Sequence, residues 1–237
     1  MSTKTRNETV TADDGGRFDA LLTLPEAGSG AGLLLIQEIF GLNDYIRQRS
    51  VTLSELGYVV LAPDVYWRLT PGVALRHDEA GLAEGLEYRR RLDYDLAVAD
   101  CSAAFRHLRG LPEVTGATGV MGFCLGGGLA FHVAAAEHPD AAVCYYGAEI
   151  PPALHLADRV SCPVIFHFGA DDPYIPPAAR GAVETAFGSR PDAEVHVYPE
   201  ARHAFDNYLA PMFHVPEAAA AAWPRTVEFL RRSLGAY

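Results

Sequence analysis

Gly119-Val120-Met121-Gly122-Phe123-Cys124-Leu125-Gly126-Gly127-Gly128 sets a cysteine between two glycines at the end of an apolar run. Leu129 to Glu137, which follows, is alanine-rich and reads as a helix. Strand, sharp turn and helix in that order match the G-x-S-x-G elbow, with Cys in place of Ser. A strained turn lifts the reactive atom above the sheet edge. The residues two before and two after must then be small, because strand and helix pass close together. The N–H of Leu125 would point at a bound carbonyl from the start of a helix, where the dipole favours negative charge. Against this stands a simpler reading, because unpaired cysteines are commonly inert core residues. The rest of the chain decides between them.

Outward from the elbow, strand and helix patterns alternate. Gly32 to Ile36, Tyr58 to Ala62, Ala141 to Tyr146, Pro163 to Phe168 and Glu194 to Tyr198 are short apolar runs of the kind buried on both faces of a parallel sheet. Asn43 to Leu56 fits a helix with Asn43 as N-cap and Gly57 as stop; Pro176 to Phe187 and Pro216 to Leu234 fit two more. Asp78 to Gly110 is helix-like and charged. Its first half reads as a separate helix or lid, and Asp93 to Arg109 as a helix packed on the sheet. Glu8 to Ala12 and Arg17 to Leu24, joined by Asp13-Asp14-Gly15-Gly16, predict an antiparallel hairpin. The expected fold is α/β: a mostly parallel central sheet with helices on both faces and an N-terminal antiparallel hairpin, in one domain over 1–237.

Composition narrows the function. A net charge of −11 argues against nucleic acid or an anionic membrane as partner. The N-terminal residues carry no apolar leader and no run is long enough to span a bilayer. Cys101, Cys124, Cys144 and Cys162 show neither zinc-ligand nor disulfide spacing, so a reduced cytoplasmic setting is expected, with no metal. The sequence carries no oligomer signal, and a monomer is expected.

Ligands of open α/β sheets bind beyond the carboxyl ends of the strands. Glu38, Cys124, Asp172 and His203 all fall there, each just after a predicted strand. The order Cys, Asp, His is that of the α/β-hydrolases. Asp171 competes with Asp172, and position barely separates them. Of the nine histidines, His203 alone begins the loop after the last strand; His167 and His196 lie within strands. Glu38 has apolar neighbours in Ile36, Ile39 and Phe40, and a carboxylate buried near a thiol would have a perturbed proton affinity.

Gln37-Glu38-Ile39-Phe40-Gly41-Leu42-Asn43, Ala62-Pro63-Asp64-Val65-Tyr66, Gly122-Phe123-Cys124-Leu125-Gly126-Gly127, Tyr145-Tyr146-Gly147 and the Ala201-to-Phe205 segment resemble the dienelactone hydrolase (carboxymethylenebutenolidase) family, nearly end to end. The resemblance implies an α/β-hydrolase without cofactor, acting on a small-molecule lactone or ester. It implies a Cys124-His203-Asp172 triad, with Asp172 rather than Asp171. It further implies a Glu38 carboxylate that hydrogen-bonds the resting thiol, and an oxyanion hole from the N–H groups of Leu125 and Ile39. Tyr145 is expected at the substrate. The arginines that bind the substrate carboxylate in dienelactone-specific members have no counterpart in Phe205-Asp206-Asn207 or in Ala80-Gly81-Leu82, and Arg202 replaces a glycine before the histidine. Arg76, Arg89 or Arg202 would have to supply that charge from new positions. The rival readings are a general carboxylesterase or thioesterase, and a non-catalytic ligand-binding protein on a hydrolase scaffold.

Overall fold

The computed structural model describes residues 4–235. The hairpin forms from β1 (Lys4–Thr11) and β2 (Arg17–Leu24), turning at the Asp14-Gly15 corner. Then come β3 (Gly30–Ile36), α1 (Asp44–Glu55), β4 (Val59–Pro63), α2 (Glu79–Arg91), α3 (Tyr94–Arg109), β5 (Val114–Phe123), α4 (Leu125–Glu137) and β6 (Ala141–Tyr145). A 3-10 segment, Pro151–Arg159, precedes β7 (Val164–Gly169), α5 (Pro177–Phe187), β8 (Ala193–Tyr198) and α6 (Pro216–Leu234). The sheet order is β1-β2-β4-β3-β5-β6-β7-β8. β2 meets β4 antiparallel, and β3 to β8 are parallel throughout.

Register assigns the two faces. Gly32 pairs with Thr118 and Leu33 with Gly119. A Cβ on Gly32 would meet Leu108 of α3, whereas one on Gly119 would meet Leu234 of α6. Successive residues of a strand point to opposite faces, so α3 and α6 lie on opposite sides of the sheet. α4 packs beside α3, and α1 joins α6 through Arg49, whose guanidinium lies 4.1 Å over the Trp223 ring. The central strands are buried on both faces, which explains their unbroken apolar sequence.

Asn43 caps α1 by accepting from the Ile46 N–H, as its position before the apolar-periodic stretch requires. Asp78 and Asp93 cap α2 and α3 in the same way, accepting from Gly81 and Leu96. These two caps split the charged stretch 78–110 into two helices at Leu92-Asp93. The 3-10 segment has no counterpart in the sequence reading. Successive prolines at Pro151 and Pro152 open it, and proline is tolerated only in the first turn of such a segment.

Candidate active site

Strand order reverses at β3, which has β4 on one side and β5 on the other. Such a switch point leaves a crevice beyond the strand ends. Glu38 leaves β3 on one side of that crevice and Cys124 leaves β5 on the other.

Cys124 sits at φ 54°, ψ −117°, between the last residue of β5 and the first of α4. A non-glycine residue holds that conformation only where its surroundings enforce it. The enforcement is close backbone packing. A Cβ on Gly122 would run into the Gly126 carbonyl. One on Gly126 would run into the Ile36 carbonyl and come within 2.6 Å of the Gln37 oxygen. The glycines at −2 and +2 therefore let α4 start directly against the end of β3. That contact brings the segment carrying Glu38 and Ile39 beside the cysteine.

His203 Nε2 lies 3.0 Å from Cys124 Sγ, and His203 Nδ1 lies 2.8 Å from Asp172 Oδ2. The second Asp172 oxygen accepts from the Tyr174 N–H at 2.9 Å, which fixes the carboxylate plane. Asp171 is exposed and turned outward, its N–H bonded to the Ala201 carbonyl. The His203 ring is flanked by Tyr146 and Tyr174, with centroids at 5.3 and 4.9 Å. Burial alone would lower the proton affinity of this imidazole. The Cys124 sulfur and the Asp172 carboxylate outweigh it and hold the affinity well above the ordinary histidine value.

Glu38 is buried at the floor of the same pocket. Its Oε2 accepts from Asn207 Nδ2 at 2.6 Å and its Oε1 from the Tyr146 hydroxyl at 3.5 Å. His77 Nε2 stands 3.8 Å from Oε2, and lies within hydrogen-bond distance of Asn43 and Asn207. The implied bond from Glu38 to the resting thiol is not present among the described residues, because the thiol faces His203 instead.

The pocket around Cys124 has a volume of about 170 Å³. Ile39 and Leu125 stand beside the sulfur; Leu82, Leu86, Phe40 and Phe213 supply most of the apolar wall. Three substrate contacts expected from sequence are corrected. Tyr145 is fully buried, because its place in the β6 register points it to the α6 face, where its hydroxyl meets Thr226 at 2.6 Å. Arg76 is almost wholly exposed and pairs with Asp78 at 3.2 Å, lining a different depression. Arg202 is exposed and outside the pocket wall. Arg89, the remaining candidate, does line the pocket and pairs with Glu149.

Sequence reasoning missed Tyr174, Glu149 and the α2 leucines as pocket residues, and Asn207 and Tyr146 as the buried partners of Glu38. Only α2 carried a usable signal: Leu82, Leu86 and Arg89 recur at i, i+4 and i+7, one face of a helix. The others reach the site through tertiary packing of residues far apart in the chain.

A parallel sheet with a strained elbow after a central strand, and a histidine–carboxylate pair converging on it from later strands, defines an α/β-hydrolase. The chain belongs to the dienelactone hydrolase family, whose model matches residues 18–234. It is 36% identical to the carboxymethylenebutenolidase of Pseudomonas putida over 227 residues, covering 95% of this chain and 96% of that one. Among solved structures it is similar to a dienelactone hydrolase-like promiscuous phosphotriesterase from metagenomic libraries, with a TM-score of 0.81, 27% identity and coverage of 99% and 100%. A putative dienelactone hydrolase from Klebsiella pneumoniae gives a TM-score of 0.78 at 25% identity, with coverage of 98% and 100%.

Proposed function

We propose that the protein is a cysteine hydrolase that opens small lactones or esters through a thioacyl-enzyme. The observation that carries this reading is the chain of contacts from Asp172 Oδ2 to His203 Nδ1 at 2.8 Å and from His203 Nε2 to Cys124 Sγ at 3.0 Å, at a cysteine held in a left-handed turn. The thiol proton passes to His203, and Asp172 stabilises the resulting imidazolium. The thiolate attacks the carbonyl carbon. The N–H groups of Leu125 and Ile39 receive the oxyanion; Leu125 opens α4, and the first N–H groups of a helix have no intrahelical acceptor. Collapse of the tetrahedral species breaks the acyl C–O bond, and the imidazolium returns its proton to the leaving oxygen. For a lactone the leaving oxygen stays tethered to the acyl group. Water, deprotonated by His203, then attacks the thioester and releases the acid and the thiol. No electrons are exchanged and the proton count closes.

The apolar wall favours a neutral small ester or lactone over a carboxylate-bearing one, which supports the general carboxylesterase reading within the same mechanism. Replacing Cys124 with Ala should abolish turnover of a p-nitrophenyl ester and of an unsubstituted lactone, with the fold retained by circular dichroism. Wild-type rates in that variant would remove Cys124 as nucleophile.

A further inference from the structure

Among the described residues, Arg89 is the only lysine or arginine that lines the pocket around Cys124. It is not a free cation. Its Nη2 is paired with Glu149 Oε1, and its guanidinium lies 5.2 Å from the Tyr94 ring centroid. Glu149 is packed at its stem, with its side chain 34% exposed. It follows β6 by four residues, and its stem lies against Gly128 in the first turn of α4, where an added Cβ would come within 2.9 Å of Glu149 Cβ. The other pocket carboxylate, Glu38, is taken up by Asn207 and Tyr146. The wall between these groups is hydrocarbon from Leu82, Leu86 and Phe213.

We infer that Glu149 is a specificity-determining residue: by neutralising Arg89 at the pocket wall, it closes the site to anionic substrates and reserves it for uncharged esters or lactones. A substrate carboxylate would have to displace a tethered carboxylate already on the guanidinium, and would do so in the field of Glu38. The fork of a guanidinium that binds one carboxylate in a directional pair offers little to a second. An uncharged acyl group meets only the apolar wall and leaves the pair intact. Removing the charge of Glu149 frees Arg89 and reverses the preference. This inference rests on the hydrolase reading above for its substrate class, but not for its electrostatics.

The experiment uses two matched pairs of probes. p-Nitrophenyl valerate and mono-p-nitrophenyl glutarate are esters of equal chain length that differ by one carboxylate. Iodoacetamide and iodoacetate alkylate a thiol with loss of iodide and differ in the same way. Cys101, Cys144 and Cys162 are buried, so alkylation of the folded protein reports Cys124. The quantity read is the anionic-to-neutral ratio, as kcat/KM for the esters and as a second-order rate constant for alkylation. Glu149→Gln should raise both ratios about tenfold. Adding Arg89→Met should cancel the rise, and Arg89→Met alone should push the ratios below the wild-type value by leaving Glu149 uncompensated. Ratios that stay within about twofold of wild type in both single variants would overturn the inference. If the alkylation ratios move as expected but wild-type protein hydrolyses neither ester, the hydrolase reading fails and the charge gate stands. If both esters are turned over and neither ratio moves, the gate alone fails.

Discussion

Asn207 donates its side-chain N–H to Glu38 Oε2 at 2.6 Å, joining the loop after β8 to the loop after β3 beneath the pocket. Glu38 is 1% exposed, so its carboxylate depends on such donors in place of water. Asn207→Ala should cost about 1–3 kcal/mol of folding stability, the penalty for stranding a buried acceptor. Asn207→Asp should cost more, because it sets two carboxylates against each other. Glu38→Gln in that background restores an amide–carboxylate pair with the roles reversed and should recover part of the loss. Urea denaturation of wild type, Asn207→Asp, Glu38→Gln and the double variant closes the cycle; purely additive effects would show that the contact is not coupled.

The raised proton affinity of His203 has a definite sign in stability. Below the ordinary value of 6.5, the imidazole is charged whether the chain is folded or not, and the full contribution is present. As pH rises through the higher folded value, the imidazolium loses its proton and the contribution disappears. Asp172→Asn removes one of the two partners that hold the proton. The stability gap between wild type and Asp172→Asn should therefore be largest below pH 6.5 and shrink as the pH is raised well above it. A gap that is flat across that window would mean that Asp172 does not stabilise the charged imidazole.

Gly126→Ala should damage fold and chemistry together. The new methyl would meet the Ile36 and Gln37 carbonyls, and backbone cannot retreat as a side-chain tip can. Overpacking of this kind costs about 1–3 kcal/mol. It also displaces the Ile39 segment relative to Cys124, so kcat/KM should fall by more than about tenfold in protein that remains folded at assay temperature. An unchanged kcat/KM would separate the glycine from the alignment of the pocket.

Arg49 and Asp206 form a buried ion pair at 2.5 Å, with the Tyr45 hydroxyl donating to the same carboxylate oxygen. Burial pushes Asp206 upward in proton affinity against the pull of Arg49, and its Oδ1 has no partner among the described residues. Arg49→Met should cost about 3–5 kcal/mol, because it leaves that carboxylate buried without its cation and withdraws the guanidinium from Tyr45, Tyr208 and Trp223. Asp206→Asn should cost less, since an amide oxygen still accepts from Tyr45 and Arg49. Thermal melts of both variants test the asymmetry, and equal losses would contradict it.

Residues that serve the chain locally were legible in the sequence. The elbow announces itself because Gly122 and Gly126 sit at fixed offsets from Cys124, and the apolar strands because two-sided burial leaves no polar positions. Glu38, His203 and the Asp171-Asp172 pair could be placed from sequence because strand ends converge in a parallel sheet whatever the details; the choice of Asp172 came from the family resemblance. Tyr145 was misplaced because a neighbouring pair of tyrosines gives no sign of which faces the core, and the β6 register settles that only in three dimensions. Arg76 and Arg202 failed for a related reason. A charge carries no directional information in a sequence, and the pairing of Arg89 with Glu149 joins residues with no mutual spacing rule.

The close approach of α4 to the end of β3 has a further consequence. It packs the Cys124 turn and the Glu38–Ile39 segment into a single block, so their relative position tolerates little variation. Leu82, Leu86 and Phe213 lie outside that block, on α2 and the loop before α6, with α2 touching it at Gly85 against Ile39. Substitutions at those three side chains can accordingly reshape the wall without disturbing the backbone contacts around Cys124.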